Sequence, residues 1–239
     1  MIFYKNIGCI KALSFDLDDT LYDNVPVINR AEERFAKLLQ ERYRLPPEVA
    51  NRNFWDEVRA SVLRKKPECA GDMSVLRQTC LMDGFAKLGR ILSIDAAKTL
   101  TSEFVCIRSE IKVPISTFNL LGDLKRKYTL AAISNGNSDL QKSGLQPYFD
   151  FDLRPHIGGN RCKPYPDLFY DYAKAMSLHP EEILHVGDDP FTDVAGSVGA
   201  GCMCAWLEGG IVGKCVGFKA LGILPHIKLS SLEELRIFL

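Results

Sequence analysis

Along the 239-residue chain the spacing of apolar positions changes period twice. Residues 11 to 16 hold a short run, Ala12, Leu13 and Phe15, which predicts a first strand ending in an acid. After Thr20 helical spacing takes over. Pro26 suits the first turn of a helix, where its missing N–H would have no partner anyway, and Ala31, Phe35, Leu38 and Leu39 mark the apolar face that follows. Phe54, Trp55, Val58 and Val62 repeat the pattern after Pro46-Pro47, and Met73, Leu76, Cys80 and Leu81 repeat it after Pro67. Ala97, Leu100, Phe104, Ile107 and Ile111 alternate steps of three and four, as in a bundled helix. Four helices are expected in this stretch.

From residue 116 strands and helices alternate again. A helix through Leu120 to Lys127 leads to the apolar run Tyr128 to Ile133, which reads as a buried parallel strand. Further strands are expected near Phe149 to Leu153, at Glu182 to Gly187 and at Cys202 to Leu207, with an edge strand at His226 to Leu229. Leu168, Phe169, Tyr172, Ala173 and Met176 mark another helix, and Ser231-Leu232-Glu233-Glu234 opens a short closing one. The pattern predicts an α/β core from 1–23 and 115–239, interrupted by an all-helical insertion at 24–114.

Composition narrows the possible functions. Lys plus Arg and Asp plus Glu stand at 30 each, so no overall field favours nucleic acid or an anionic membrane, and any anion site must be local. No 18-residue uncharged apolar run occurs and Met1 to Lys11 lacks a signal-peptide core, so a cytoplasmic protein is expected. The 8 cysteines include no CxxC pair and are read as reduced thiols, with Cys202 and Cys204 on one side of a buried strand rather than on a metal. The oligomeric state is not legible in the sequence.

The chemistry concentrates where apolar runs end. Asp16, Asp18 and Asp19, followed by Thr20, put three carboxylates within four residues at the end of the first strand. Such a group repels itself unless a cation is present, and Mg²⁺ is the hard, oxygen-seeking ion that suits it. The plain alternative is an acidic, solvated turn. Asp188 and Asp189, with Asp193 beyond, form a second acidic strand end after His185-Val186-Gly187, where His185 reads as a structural histidine. Ser134-Asn135-Gly136-Asn137 is a small polar loop able to turn N–H groups toward an anion, although alone it is only a turn. Gly158 to Pro164 carries Lys163-Pro164 at the mouth of a helix. The Gly209-Gly210 and Gly213 segment has no readable role.

In order and spacing these stretches resemble the haloacid dehalogenase-like hydrolases, whose first motif is Asp-x-Asp-x-Thr, here Asp16 to Thr20. The resemblance covers nearly the whole chain. It implies a Rossmann-like parallel sheet core with an inserted helical cap, Mg²⁺ as cofactor, and hydrolysis of a small phosphorylated molecule through an aspartyl-phosphate. Asp16 would be the nucleophile and Asp18 the general acid and base. Ser134, with Asn135, and Lys163 would hold the phosphate, while Asp16, the Asp18 carbonyl and Asp188 would bind the metal. Thr20 is expected to hold its loop through hydroxyl-to-backbone bonds. Asp189 could meet the metal directly, through water, or orient Lys163, and Asp193 is expected to fix Lys163 or the Ser134 loop. Asp18 also sets the chain apart from the true dehalogenases, in which this position is not an acid.

The run Phe15 to Asn24, with the helical insert and His185 to Asp189, is most similar to bacterial phosphatases acting on FMN and on the phosphoribitylamino-pyrimidine of riboflavin synthesis. Alternatives are a nucleotidase or sugar-phosphate phosphatase of the same fold, or a catalytically silent phosphate-binding protein. The insert is expected to close over the crevice and choose the substrate, with Phe54, Trp55, Arg59 and Arg64 as candidate contacts.

Overall fold

The first apolar run forms an interior strand of a sheet, and none of its side chains meets water. In the computed structural model, which describes every residue except 51, 156–158 and 214–221, strand β2 (Ala12–Phe15) is buried throughout. It is preceded by β1 (Ile2–Phe3) and followed by β3 (Thr129–Ile133), β4 (Phe151–Leu153), β5 (Ile183–Gly187), β6 (Met203–Leu207) and β7 (Ile227–Leu229). These join in one sheet in the order β1-β7-β6-β5-β2-β3-β4. Every pairing is parallel except that of β1 with β7. All residues of β5 and β6 are buried, as expected of central parallel strands covered on both faces.

β2 lies between β3 and β5, so the chain leaves it toward one side of the sheet and returns on the other. Such a reversal opens a crevice beyond the carboxyl ends of the strands, where open α/β sheets bind ligands. The register sets Phe15 beside Val186 and Ala132, and the Asp16 N–H donates to Val186 O at 2.9 Å. Asp16 is thereby delivered to the same edge as Gly187 and Asp188.

The chain divides into two compact units, one of residues 1–24, 112–136 and 143–239 and one of 25–111 with 137–142. In the first, α5 (Ile115–Lys125) buries Leu120, Leu121 and Leu124, and α6 (Asp167–Met176) packs Leu168, Phe169, Tyr172 and Ala173 with Ala12, Ala131 and Ile183. β7 is not the edge of the sheet, because Ile2 pairs with Lys228 and adds β1 outside it. The closing helix is a 3₁₀ segment, Leu232–Phe238. Cys202 stands just before β6 and packs with Ala12 and Leu168, whereas Cys204 packs with Val194 and Trp206; both are free thiols. Cys215 and Gly158 lie outside the described residues.

The second unit carries α1 (from Asn24 to Tyr43), α2 (Arg52–Lys65), α3 (Met73–Lys87) and α4 (Ile94–Arg108). Asp72 and Ser93 cap α3 and α4 by accepting from N–H groups of the first turn. Helix α4 stops at Arg108, so Ile111 falls beyond the periodic face. Phe35 meets Phe104 edge-on at 5.3 Å, and the Arg77 guanidinium lies over the Phe104 ring while pairing with Glu32 at 2.6 Å. Trp55 packs across Gly84 and donates its indole N–H to Val49 O at 2.9 Å, so this candidate substrate contact is engaged in helix packing. Segment 137–142 joins the helices through Asn137, which donates to Ser74 Oγ and accepts from Arg108, each at 3.1 Å.

Candidate active site

The loop leaving β2 is fixed by its own side chains. The Leu21 N–H bonds back to Leu17 O at 2.9 Å, and Asp19 takes a left-handed backbone, φ 60°, while its carboxylate accepts the Asn24 N–H. Asp and Asn tolerate that conformation better than other non-glycine residues. Thr20 acts differently from expectation. Its hydroxyl donates to Asp188 Oδ1 at 2.8 Å, so it ties this loop to the end of β5 by a side-chain bond rather than holding backbone. The glycine segment after β6 closes on the same loop, since Ile211 N–H donates to Asp19 O at 2.7 Å. Gly210, at φ 66°, allows that approach: a Cβ there would lie 2.7 Å from Asp19 O.

A buried charge cluster lies behind the loop. Lys163 is only 2 % exposed, and its ammonium donates to Asp16 Oδ1 at 2.7 Å and to Asp193 Oδ1 at 2.6 Å. Burial works against the charge on Lys163, yet the two carboxylates outweigh it and raise its pKa. Asp193 is held well below the usual carboxylate range; burial opposes this, but the Lys163 charge and hydrogen bonds from Lys163 and His185 prevail. Its remaining oxygen, Oδ2, accepts the Asp189 N–H at 2.9 Å. Asp16 goes the other way. Burial, together with Asp193 and Asp18, pushes it up to about 7 despite Lys163. Burial, then repulsion from Asp193 and Asp16, pushes Asp188 up to about 8 against its bond from Thr20.

Asp16, Asp188 and Asp193 each bring a carboxylate oxygen within 4.8 Å of the others. Their donor set is wholly oxygen, and two of the three carboxyls are held at pKa values where a nearby cation would displace a proton. That fits a hard divalent ion such as Mg²⁺. Asp193 is the least suited to ligate it, because both its oxygens are already bonded within the protein.

The other expected residues take specific places. Ser134 is buried and its Oγ accepts the Gly136 N–H at 3.1 Å, closing the loop after β3. Asn135 pairs twice with the Lys163 backbone, donating to its carbonyl at 2.9 Å and accepting its N–H at 2.8 Å. Its side chain therefore clamps two loops together. Asp189 caps the π-helical turn Pro190–Ala195 by accepting from Phe191 and Thr192 N–H, and stands apart from the carboxylate cluster. Asp18 accepts from the Tyr22 hydroxyl at 2.6 Å.

Three supporting residues were given no role by the sequence reading. Tyr22 is buried against Asp18; Trp206 donates its indole N–H to Asp188 O at 2.8 Å; Gly187 leaves room that a Cβ would take from the Asp193 side chain. His185 is structural, as expected, but what it supports is the site. Its Nε2 faces Asp193 at 3.3 Å and its Nδ1 faces Ser14 Oγ at 2.9 Å. Burial and the Lys163 charge lower its pKa, so the imidazole is neutral, and Nε2 carries the proton because the carboxylate can only accept.

Comparison with known proteins decides the family. The family model described as haloacid dehalogenase-like hydrolase matches residues 10–201. The chain belongs to this family. It is 36% identical to 5-amino-6-(5-phospho-D-ribitylamino)uracil phosphatase of Escherichia coli strain K12, over 98% of each chain. It is 25% identical to the N-acylneuraminate-9-phosphatase of Rattus norvegicus, over 95% of this chain and 92% of that one. Among solved structures, a 2-haloacid dehalogenase from Pseudomonas syringae aligns with a TM-score of 0.79 at 30% identity, covering 95% of this chain and 97% of that one. By family and relatives the protein is an enzyme, a phosphoric monoester hydrolase. No helix among the described residues is long and apolar enough to cross a membrane.

Proposed function

We propose that this hydrolase is a Mg²⁺-dependent phosphatase that cleaves a small phosphate monoester through an aspartyl-phosphate on Asp16. The observation that carries the reading is the buried cluster in which Lys163 bonds Asp16 and Asp193 while Asp188 stands beside them. An anionic nucleophile must approach an anionic phosphate, so positive charge has to be in place before attack. Lys163 supplies one such charge and holds Asp16 by one oxygen, leaving the other to bond phosphorus. Asp16 and Asp188, with the Asp18 carbonyl, would hold the metal, which neutralises phosphate charge when bound. Asp193 keeps Lys163 charged and aimed at Asp16. Asp18 is the general acid for the leaving alkoxide and then the base for the water that frees Asp16. Ser134 and the Asn135 backbone donate to the phosphate oxygens.

The cluster recognises only phosphate, so selection among metabolites falls to other groups, and we assign it to the helical unit in the role of a cap, residues 24–114, on the core of 1–23 and 115–239. The similarity to the E. coli enzyme across 98% of both chains favours a phosphoribitylamino-pyrimidine or FMN as substrate. The likeness to a 2-haloacid dehalogenase raises a second reading, which Asp18 opposes, since halide departure needs no proton donor. The test is a panel of FMN, the phosphoribitylamino-pyrimidine, nucleoside monophosphates, sugar phosphates and 2-chloropropionate, each with Mg²⁺ and with chelator. Mg²⁺-dependent phosphate release, highest for the first two, is expected. Chloride release without phosphate release, or no turnover of any phosphate, overturns it.

A further inference from the structure

Tyr22 is among the largest fully buried side chains in the protein, yet it ends in a hydroxyl. A buried phenol costs free energy unless its O–H finds a partner. Here the partner is Asp18, whose Oδ1 lies 2.6 Å away, and the two residues also form an isolated parallel backbone bridge. The turn between them is held at both ends, by the Leu21 N–H on Leu17 O and by the Asp19 carboxylate on the Asn24 N–H. Phenol and carboxyl thus sit on one stiff frame, and the short O–H···O contact fixes the Asp18 carboxyl about its side-chain torsions.

From this contact we propose that Tyr22 is a positioning residue for proton transfer: its hydroxyl holds Asp18 Oδ1 and so presents the Asp18 carboxyl to the leaving oxygen. The proposal rests on the phosphatase reading and on the acid–base role given there to Asp18. Tyr22 touches no substrate; it acts only through its neighbour. Removing the hydroxyl should slow the step that needs an oriented acid and spare the step that does not. An alkyl phosphate expels a poor leaving group that must be protonated, whereas p-nitrophenolate leaves without help.

The experiment compares Tyr22→Phe, Asp18→Asn and the double variant, each with Mg²⁺, on an alkyl phosphate substrate and on p-nitrophenyl phosphate. Tyr22→Phe keeps the ring and should fold. It is expected to lower kcat/KM for the alkyl phosphate about tenfold, part of the ~10²–10⁴-fold that acid–base catalysis supplies, with about twofold or less change for the aryl phosphate. In the Asp18→Asn background the same substitution should do nothing further. Equal losses on both substrates, or an undiminished effect when Asp18 is already Asn, would overturn the proposal and mark Tyr22 as structural. If the wild-type protein releases phosphate from neither substrate, the phosphatase reading itself has failed and takes the proposal with it.

Discussion

Replacing Lys163 with Met keeps the length of a side chain that is 2 % exposed and removes its charge. Three carboxyls, Asp16, Asp188 and Asp193, are then left together without a cation. Breaking a buried ion pair costs about 3–5 kcal/mol when the remaining charge stays ionised. It costs less where that group can take up a proton. In the metal-free wild type, Asp16 and Asp188 already titrate high, at about 7 and about 8, so the native state binds more protons than the unfolded one above the ordinary carboxylate range. Stability from these two groups therefore falls as pH rises toward 8. Asp193 is the exception in the wild type, because Lys163 keeps it ionised.

In Lys163→Met, Asp193 joins the raised group. The native state then holds roughly one more proton than wild type between pH 6 and 8, which steepens the loss of stability by about 1.4 kcal/mol per pH unit. The destabilisation should grow by about 2.7 kcal/mol over that interval, from about 1 kcal/mol at pH 6 to the 3–5 kcal/mol range at pH 8. Urea unfolding of both proteins in chelator at pH 6, 7 and 8 measures this, provided the m-values agree. A difference that stays flat with pH, or shrinks toward pH 8, would refute the claim that Lys163 is what keeps Asp193 ionised.

Further outcomes are expected. Asp16→Asn should abolish turnover while leaving the circular dichroism spectrum unchanged; activity within about tenfold of wild type would remove Asp16 from the nucleophile's role. Binding of Mg²⁺ at pH 7 should release roughly one proton or more, because Asp16 and Asp188 must ionise to ligate it. Calorimetry in buffers of different ionisation enthalpy reads that number, and affinity should rise from pH 6 to pH 8. Gly84→Ala should destabilise the helical unit by about 1–3 kcal/mol, because the added methyl overlaps the Trp55 ring; a neutral effect in thermal unfolding would show that the ring can move.

The elements that could be read from sequence are those in which one period dominates. Val58 and Val62 on α2, or Ala97, Leu100 and Phe104 on α4, repeat at helical spacing, and their burial follows directly. The buried strands announced themselves as apolar runs. β1 did not, because Ile2 and Phe3 are both half exposed, and two residues cannot display a period. Its existence depends on the partner strand Ile227–Leu229, more than two hundred residues away in sequence. Where α4 ends was equally invisible, since Ile111 continues the spacing of the helix without belonging to it.

The site was legible in its acids and lysine, whose clustering at strand ends has few structural excuses, and illegible in what orients them. Thr20 carries no sign that its hydroxyl serves Asp188 instead of its own loop. Tyr22 and His185 each look like ordinary core, and each proves to be core on one side and a hydrogen-bond partner of a carboxylate of the site on the other. The same asymmetry explains why Asp16 and Asp193, two aspartates on one ammonium, differ in character. Asp193 gains a second donor from His185 and a third from the Asp189 N–H, and is pinned as an anion. Among these contacts Asp16 has Lys163 alone, and it shares that charge. The acid with more donors becomes the support; the acid with fewer keeps an oxygen whose charge is poorly compensated, and a nucleophile needs that. In the proposed mechanism the donors at the second strand end, beside Gly187, thus separate the two aspartates on Lys163 into support and nucleophile.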